Sequence, residues 1–170
     1  MKKIIVAFLS LNLLLLASNQ ERDLQAVFIG RLAQFVQWNH PKEHLFRITI
    51  IGNNPFGDLL NRLYKKKKID GKSVEIQYIT RLEEIGQTDI LFVALENQQE
   101  IQKVILYAIK NSILTIGTQR GFAQRGGIVQ LSFVMQKPHL VINHKTAQYS
   151  NIKIQAPLLA IAQEIIKGDE

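Results

Sequence analysis

Four histidines and a few isolated acids are the side chains of this 170-residue chain that could bind a metal ion or transfer a proton. No pair of histidines has the H-E-x-x-H spacing that places two ligands on one helix face. His139 and His144 flank a predicted strand and would point to opposite faces. We therefore expect no metal site and no cofactor. The four histidines are His40, His44, His139 and His144.

The sequence also contains no clear motif for acid–base or nucleophilic catalysis. General acid–base catalysis by a carboxyl pair needs both groups at one cleft, but Glu83 and Glu84 precede Gly86 in a predicted surface loop, and Asp58 and Asp89 stand alone. The chain has no cysteine and no G-x-S-x-G motif, so the sequence does not reveal a nucleophile with an adjacent base. We expect the protein to act by binding and not as an enzyme.

Two glycine-rich segments could contribute to a small-molecule site. Segment 52–57, G-N-N-P-F-G, follows a predicted strand and leads into a predicted helix, a context that favours anions. It lacks the second glycine of a dinucleotide motif and the G-K-[ST] of a P-loop, which argues against nucleotide binding. Open α/β sheets bind ligands at the carboxyl ends of their strands, so the candidate ligand-binding residues lie there. They are Asn53, Phe56, Thr118 and Phe122.

Both segments also have a purely structural interpretation. Glycine supplies backbone angles that other residues avoid, so segment 52–57 could be only a tight turn. The second segment, 121–127, could be a tight connection to the strand after it, or a loop that faces a ligand beside Thr118. The sequence leaves these alternatives open.

Phe35 and Trp38 are the candidates for a partner-binding patch. They lie in a segment whose apolar residues recur at helical spacing. Aromatic residues in such a stripe can belong to the core, or they can form an exposed patch that binds another protein. The sequence alone allows both interpretations.

The first 19 residues have the features of a secretory signal peptide. A start with two lysines is followed by an almost wholly apolar run over 4–17 and by small residues at Ala17 and Ser18. The apolar run is shorter than the roughly 20 residues that span a bilayer. We expect cleavage between Ala17 and Gln20 and a periplasmic location, with an uncleaved N-terminal anchor as the alternative.

Positive charge is concentrated in four consecutive lysines at 65–68, and the formal net charge of the chain is +7. Such a run could bind nucleic acid or acidic lipid. These lysines follow the apolar part of a predicted helix, however, where cations interact favourably with the negative end of the helix dipole. An exported protein seldom meets nucleic acid, so we favour a solvated helix end and expect no nucleic-acid partner.

The sequence pattern over residues 20–170 predicts a single α/β domain. Apolar periodicity near 3.6 predicts helices, and apolar runs or alternation predict strands. Strands that alternate with helices indicate a three-layer arrangement, with a mostly parallel central sheet, helices on both faces and a C-terminal antiparallel hairpin at one edge. The predicted elements are a helix over 21–38, a strand over 46–51, a helix over 56–66, strands over 74–79 and 90–95, a helix over 97–110, a strand over 113–116, a hairpin of 128–135 and 139–143 with its turn at 136–138, and a helical tail over 153–167.

The order and spacing of seven segments resemble the YfiR-like family of periplasmic proteins, over roughly 24–166. The segments are A-V-F-I-G-R-L-A-Q-F-V-Q-W (26–38), I-T-I-I-G-N-N-P-F-G (48–57), D-I-L-F-V-A (89–94), I-L-T-I-G (113–117), G-F-A-Q-R-G-G-I-V (121–129), V-I-N-H-K-T-A (141–147) and N-I-K-I-Q-A-P-L-L-A-I-A (151–162).

The resemblance implies a compact α/β domain, often a homodimer, without known catalytic activity. The namesake of the family inhibits a membrane-bound diguanylate cyclase from the periplasmic side and so lowers cyclic-di-GMP signalling. The implied function is a regulator that binds the periplasmic domain of an inner-membrane signalling protein, and the alternative is a periplasmic small-molecule binding protein. Family members commonly carry a cysteine where this chain has Thr88, so we do not expect disulfide-based redox sensing.

Overall fold

The computed structural model describes residues 20–38 and 45–168. The predicted signal peptide, His40 and His44 lie outside these residues. In chain order the elements are α1 (20–33), β1 (Val36–Trp38), β2 (Leu45–Gly52), α2 (Leu59–Tyr64), β3 (Lys68–Ile69), β4 (Lys72–Ile79), a 3-10 turn (Leu82–Glu84), β5 (Ile90–Ala94), α3 (Gln98–Lys110), β6 (Leu114–Gly117), β7 (Val129–Val134), β8 (Lys137–Asn143), α4 (His144–Tyr149), β9 (Ile152–Ile154), α5 (Ala156–Ala160) and β10 (Glu164–Ile166).

An eight-stranded sheet with the order β10-β8-β7-β6-β5-β2-β4-β3 forms the centre of the fold. The strands from β4 through β2, β5 and β6 to β7 are parallel, whereas the β7–β8 and β3–β4 pairs are antiparallel. The predicted α/β class with a mostly parallel sheet is confirmed. The hairpin of β7 and β8 lies near one edge, and β10 adds a further parallel strand outside β8.

Successive side chains of the central strands point to opposite faces of the sheet, so each face carries a core of its own. In β5, Ile90 and Phe92 point into the first core, and Leu91 and Val93 point into the second. This double burial explains why the sequence of β5 is a continuous apolar run. Helices α1, α2 and α5 contribute to the first core, and α3 contributes to the second.

Helix α3 begins where the sequence predicts a helix. The side-chain oxygen of Asn97 accepts hydrogen bonds from the backbone N–H groups of Gln99, at 2.9 Å, and Glu100, at 3.2 Å. These bonds satisfy donors that have no partner within the helix. The apolar face of α3 then packs on the second core.

Two long predicted helices are shorter in the structure. The helix predicted over 21–38 ends at residue 33, and β1 then pairs antiparallel with β9 in a separate two-stranded ribbon. The predicted helical tail over 153–167 contains only the short α5, with β9 before it and β10 after it. Pairing between segments far apart in sequence outweighs the local helical periodicity here, because strand formation depends on the cross-strand partner.

The turn of the hairpin lies one residue earlier than predicted. Met135 and Gln136 both have positive φ, 48° and 64°, as a two-residue type I′ turn requires. Lys137 and Pro138, which the sequence assigns to the turn, instead begin β8.

In the described part of the chain, no helix is both long enough and apolar enough to cross a membrane.

Candidate functional site

The carboxyl ends of β2 and β5 lie side by side where the chain changes direction within the sheet. β2 leads through α2 to β4 on one side, and β5 leads through α3 to β6 on the other. Open α/β sheets bind ligands in the crevice at such a switch point. Here the two strand ends are joined by backbone, because the N–H of Asn53 donates to the carbonyl oxygen of Ala94 at 3.1 Å.

Gly52 makes this close approach feasible. Its φ is +100°, and a Cβ atom at this position would lie 2.5 Å from the carbonyl oxygen of Ala94. A residue with a side chain would meet both a steric clash and an unfavourable backbone angle. The tight-turn interpretation of segment 52–57 is therefore the one that the geometry supports.

The four residues predicted for a ligand site are not brought together. Phe56 is 2% exposed and stacks edge-to-face on Phe92 in the first core, with ring centroids 4.9 Å apart. Phe122 is fully buried in the second core, on the opposite face of the sheet. These buried positions correct the prediction that the two rings contact a ligand. Of the four predicted residues, Asn53 and Thr118 are the exposed ones.

Trp38 lies at the rim of the first core. Its ring stands edge-on to Phe46, with centroids 5.4 Å apart and planes at 77°, and the residue is partly buried. Phe35 is also partly buried and packs against the first core, while its carbonyl oxygen accepts a hydrogen bond from the N–H of Gln155 at 2.9 Å. Both residues are thus partly buried against the first core, and of the two it is Trp38 that lines open clefts.

Two open clefts meet at Trp38. One has a volume of about 600 Å³ and the other about 580 Å³, and Gln37 and Trp38 line both. The other polar side chains of the clefts are mostly uncharged. We call these residues together the Trp38 surface: Gln34, Gln37, Trp38, Asp70, Lys72, His144, Gln148, Asn151, Lys153 and Gln155.

A polar cluster at the opposite, amino ends of the strands was not predicted. The backbone N–H of Arg47 donates to a carboxylate oxygen of Asp89 at 2.7 Å. The guanidinium of Arg47 donates to Glu75 at 2.9 Å through Nε and to Gln87 at 3.1 Å through Nη1. A cleft of about 430 Å³ opens beside this cluster, and Thr88 also lines it.

One sequence signal could have revealed this cluster. Arg47 is the only charged residue in its strand, and Asp89 stands immediately before the most apolar strand of the chain. A charged group next to buried strands needs hydrogen-bonding partners, so the two residues could have been paired. Among the described residues, no group of three or more histidine, cysteine or acidic side chains is arranged to hold a metal ion.

Comparison with solved structures shows similarity of fold at low sequence identity. The ABC domain from Streptococcus pneumonia, solved in complex with L-Trp, has a TM-score of 0.58 at 15% identity, with 83% of this chain and 60% of that chain covered. A conserved domain protein from Vibrio cholerae O1 biovar El Tor has a TM-score of 0.53 at 17% identity, with 70% and 54% covered. This chain thus spans less than two thirds of either structure, and the similarity concerns the fold alone.

Comparison with protein families is more specific. No curated protein matches the chain significantly. Residues 22–163 match the YfiR/HmsC-like family, a range that runs from α1 to the residue before β10. Since the match covers nearly all of the described fold, the chain belongs to the YfiR/HmsC-like family, which is known for regulation in the periplasm.

Proposed function

We propose that this protein is a periplasmic regulatory binding protein that controls a membrane-bound signalling protein, such as a diguanylate cyclase. It acts by binding the periplasmic domain of that protein and does not itself catalyse a reaction. Membership of the family supports the regulatory role, and the predicted signal peptide supports the location. The observation that carries the proposal is the position of Trp38 between two open clefts.

The Trp38 surface combines one aromatic side chain with a polar surround, an arrangement found at protein–protein contacts. Tryptophan is enriched among the residues that carry most of the binding energy at interfaces, and such residues are surrounded by polar side chains that exclude water. Gln37 and Lys153 form an exposed pair on the outer face of the ribbon, next to Trp38 in sequence, whereas the side chain of Trp38 lies on the other face with Ile152. The contact of Trp38 with Phe46 holds the indole in place before binding, which reduces the entropy lost on association.

Regulation then follows from a shift in population. A membrane cyclase that exchanges between active and inactive arrangements moves toward the one that this protein binds more tightly. Binding to the inactive arrangement lowers cyclic-di-GMP, and release of the protein restores cyclase activity. A homodimer, which the family resemblance implies, would present two Trp38 surfaces to a dimeric partner.

Deletion of the gene is expected to raise cyclic-di-GMP in the native host. Complementation with the wild type should restore the basal level, whereas Trp38→Ala should not. Loss of a central interface tryptophan costs about 2 kcal/mol or more, which corresponds to a roughly 30-fold weaker complex. Cyclic-di-GMP is measured by mass spectrometry of cell extracts.

Two further variants separate binding from folding. Gln37→Arg alters an exposed side chain that lines both clefts and should also fail to restore the basal level. Tyr149→Ala removes an aromatic residue that is 69% exposed and does not line either cleft, so it should behave as the wild type. Unchanged cyclic-di-GMP on deletion, or full restoration by both Trp38→Ala and Gln37→Arg, would refute the proposal.

Binding of a small polar molecule is a second candidate function, and the cleft of about 430 Å³ beside Arg47 favours it. This cleft has the size of a small-ligand site and replaces the predicted site at the carboxyl ends. A ligand that binds only the native state raises the melting temperature, and the shift grows with the logarithm of its concentration once this exceeds Kd. In a thermal-shift screen of metabolites and peptidoglycan fragments, a hit should be lost in Arg47→Gln; a screen without any shift contradicts this candidate.

A further inference from the structure

We propose that the outer edge of β4, together with α2, binds an extended acidic segment of a partner protein, which joins the sheet as an additional strand. This inference rests on the proposed function, because it describes how part of the partner is held. We call the site the β4 groove; it consists of the free edge of β4 at 74–79 and the side chains of α2 that face it.

The backbone of β4 is available for pairing along most of its length. On one side, residues 73–79 pair in parallel with residues 45–51 of β2. On the other side, β3 pairs only with Lys72 and Ser73, and no strand of the described ranges pairs with 74–79. An edge strand of this kind presents N–H and C=O groups that can form a ladder with another chain. Six residues give an edge of roughly 20 Å.

The space beside this edge is shaped to receive side chains. A cleft of about 560 Å³ lies between β4 and α2, with Val74 and Ile76 on the side of the strand. Asn61, Arg62 and Lys65 line it on the side of the helix. Alternate side chains of an added strand point to the same face, so every second residue of the segment would enter this cleft. Peptide recognition by strand addition uses this combination of backbone pairing and side-chain pockets.

The charge around the β4 groove indicates an acidic segment. The four lysines at 65–68 are exposed, and no carboxylate of the described residues forms an ion pair with them. Arg62 adds a further cation, although Asp58 lies 3.5 Å from it. Complementary charge increases the association rate and discriminates against partners of the wrong sign.

The same charge argues against a second copy of this chain as the occupant. Lysines at a sheet edge disfavour pairing of that edge with itself. The β4 groove also adjoins the Trp38 surface, because Asp70 and Lys72, in and after the β3–β4 turn, line one of the Trp38 clefts. A partner that covers Trp38 would therefore lie close to the free edge of β4, which begins just beyond the two residues that β3 occupies.

A short synthetic peptide tests the β4 groove without knowledge of the partner. The probe is a fluorescent, end-capped peptide of alternating glutamate and valine, eight residues long, and its binding to the purified protein is followed by fluorescence anisotropy. We expect saturable binding and slower hydrogen exchange of those amides at 74–79 that point away from β2. The double variant Lys65→Glu/Lys66→Glu should weaken binding by at least about tenfold, since it reverses two charges at the groove.

Matched controls distinguish strand addition from diffuse attraction. Lys103→Glu/Lys110→Glu makes the same change in net charge on α3, which covers the opposite face of the sheet, and should leave the affinity within about twofold. N-methylation of every second peptide amide removes the donors along one edge of the added strand. The peptide has two alternating sets of amides, one along each edge of the strand. Methylation of one set should abolish binding and methylation of the other should not, because only one edge of the strand faces β4.

Several results would overturn the inference. The first two are an equal loss of affinity in both double variants and insensitivity to N-methylation. The other two are peptide-dependent protection that spares 74–79, and concentration-dependent protection of 74–79 without peptide, which would indicate self-pairing. Binding of RNA or anionic vesicles, but not of the peptide, through the lysines would point to a different ligand. If the Trp38 variants alter cyclic-di-GMP but the peptide does not bind, the proposed function stands and only this inference fails.

Discussion

Phe122→Ala is expected to lower the free energy of unfolding by about 3–5 kcal/mol, the range measured for deletion of a buried aromatic ring. Phe122 is fully buried in the second core. Truncation to alanine leaves a cavity that the surroundings can fill only in part, and the lost contacts add to the lost transfer free energy. Urea denaturation followed by circular dichroism measures the change.

Glycines on both sides of the ring explain why its surroundings cannot easily close on a cavity. A Cβ atom at Gly117 would lie 2.6 Å from the ring of Phe122, and one at Gly127 would lie 2.1 Å from it. The ring is thus packed directly on two stretches of backbone, which belong to the end of β6 and to the approach to β7. Gly127→Ala should therefore also destabilise the fold, through overpacking.

Gly86→Ala serves as the control, because no atom lies within 4 Å of the added Cβ position and the backbone angle of Gly86 is not in the left-handed region. It should change stability by less than about 0.5 kcal/mol. A loss below 1 kcal/mol for Phe122→Ala would contradict the buried position of the ring and would restore Phe122 as a candidate ligand contact.

The second large effect concerns Tyr64 at alkaline pH. Its hydroxyl donates to the carbonyl oxygen of Ala26 at 2.9 Å and accepts from the N–H of Gly30 at 2.9 Å. The hydroxyl therefore stands between the two groups that an uninterrupted helix would join directly. Gly30 admits it, because a Cβ atom there would lie 2.2 Å from the hydroxyl oxygen.

Burial raises the pKa of Tyr64 to about 12 from its ordinary value of 10.0. Below pH 10 the tyrosine is protonated in both the folded and the unfolded state. Between pH 10 and 12 the unfolded chain releases this proton and the folded chain keeps it, so stability falls as the pH rises. Two pH units at 1.36 kcal/mol each give a loss of about 2–3 kcal/mol.

Comparison with Tyr64→Phe isolates this titration from that of other groups. The difference in unfolding free energy between wild type and Tyr64→Phe should be constant from pH 7 to 9 and should decrease by about 2–3 kcal/mol between pH 10 and 12. A difference that does not change with pH over that range would show that Tyr64 titrates normally and that its hydroxyl is not buried between Ala26 and Gly30 of α1.

Elements with strong local signals were predictable from the sequence. The strand β5 is a run of apolar residues that is buried on both faces, and α3 has a capping asparagine and a regular apolar face. In both cases the local pattern and the tertiary environment agree. Sequence and structure therefore coincide there within a residue or two.

The ribbon of β1 and β9 was not predictable in the same way. Val36 and Trp38 fit a helical pattern as well as a strand, and only pairing with Ile154 and Ile152 decides between them. These partners are more than a hundred residues away in sequence. The prediction placed Trp38 on a helix, whereas it lies in the ribbon between two clefts. The shape of the Trp38 surface therefore could not be predicted from the sequence.

The glycine-rich loops were ambiguous for a different reason. A glycine that lets a backbone approach a ligand and a glycine that lets a backbone approach an aromatic ring have the same sequence signature. Phe122 beside Gly117 and Gly127 is the second case. The β4 groove was likewise hidden, because the run of lysines showed its charge but not the free strand edge beside it.

Site-specific photo-crosslinking in the native host tests the central claim most directly. A photoreactive amino acid at Gln37, which is exposed and lines both clefts, should give a cross-link to an inner-membrane protein that carries a periplasmic domain and a cytoplasmic signalling domain. The same amino acid at Tyr149 should give none. Cross-links only to cytosolic proteins, or an equal yield at both positions, would show that the Trp38 surface does not hold a periplasmic partner.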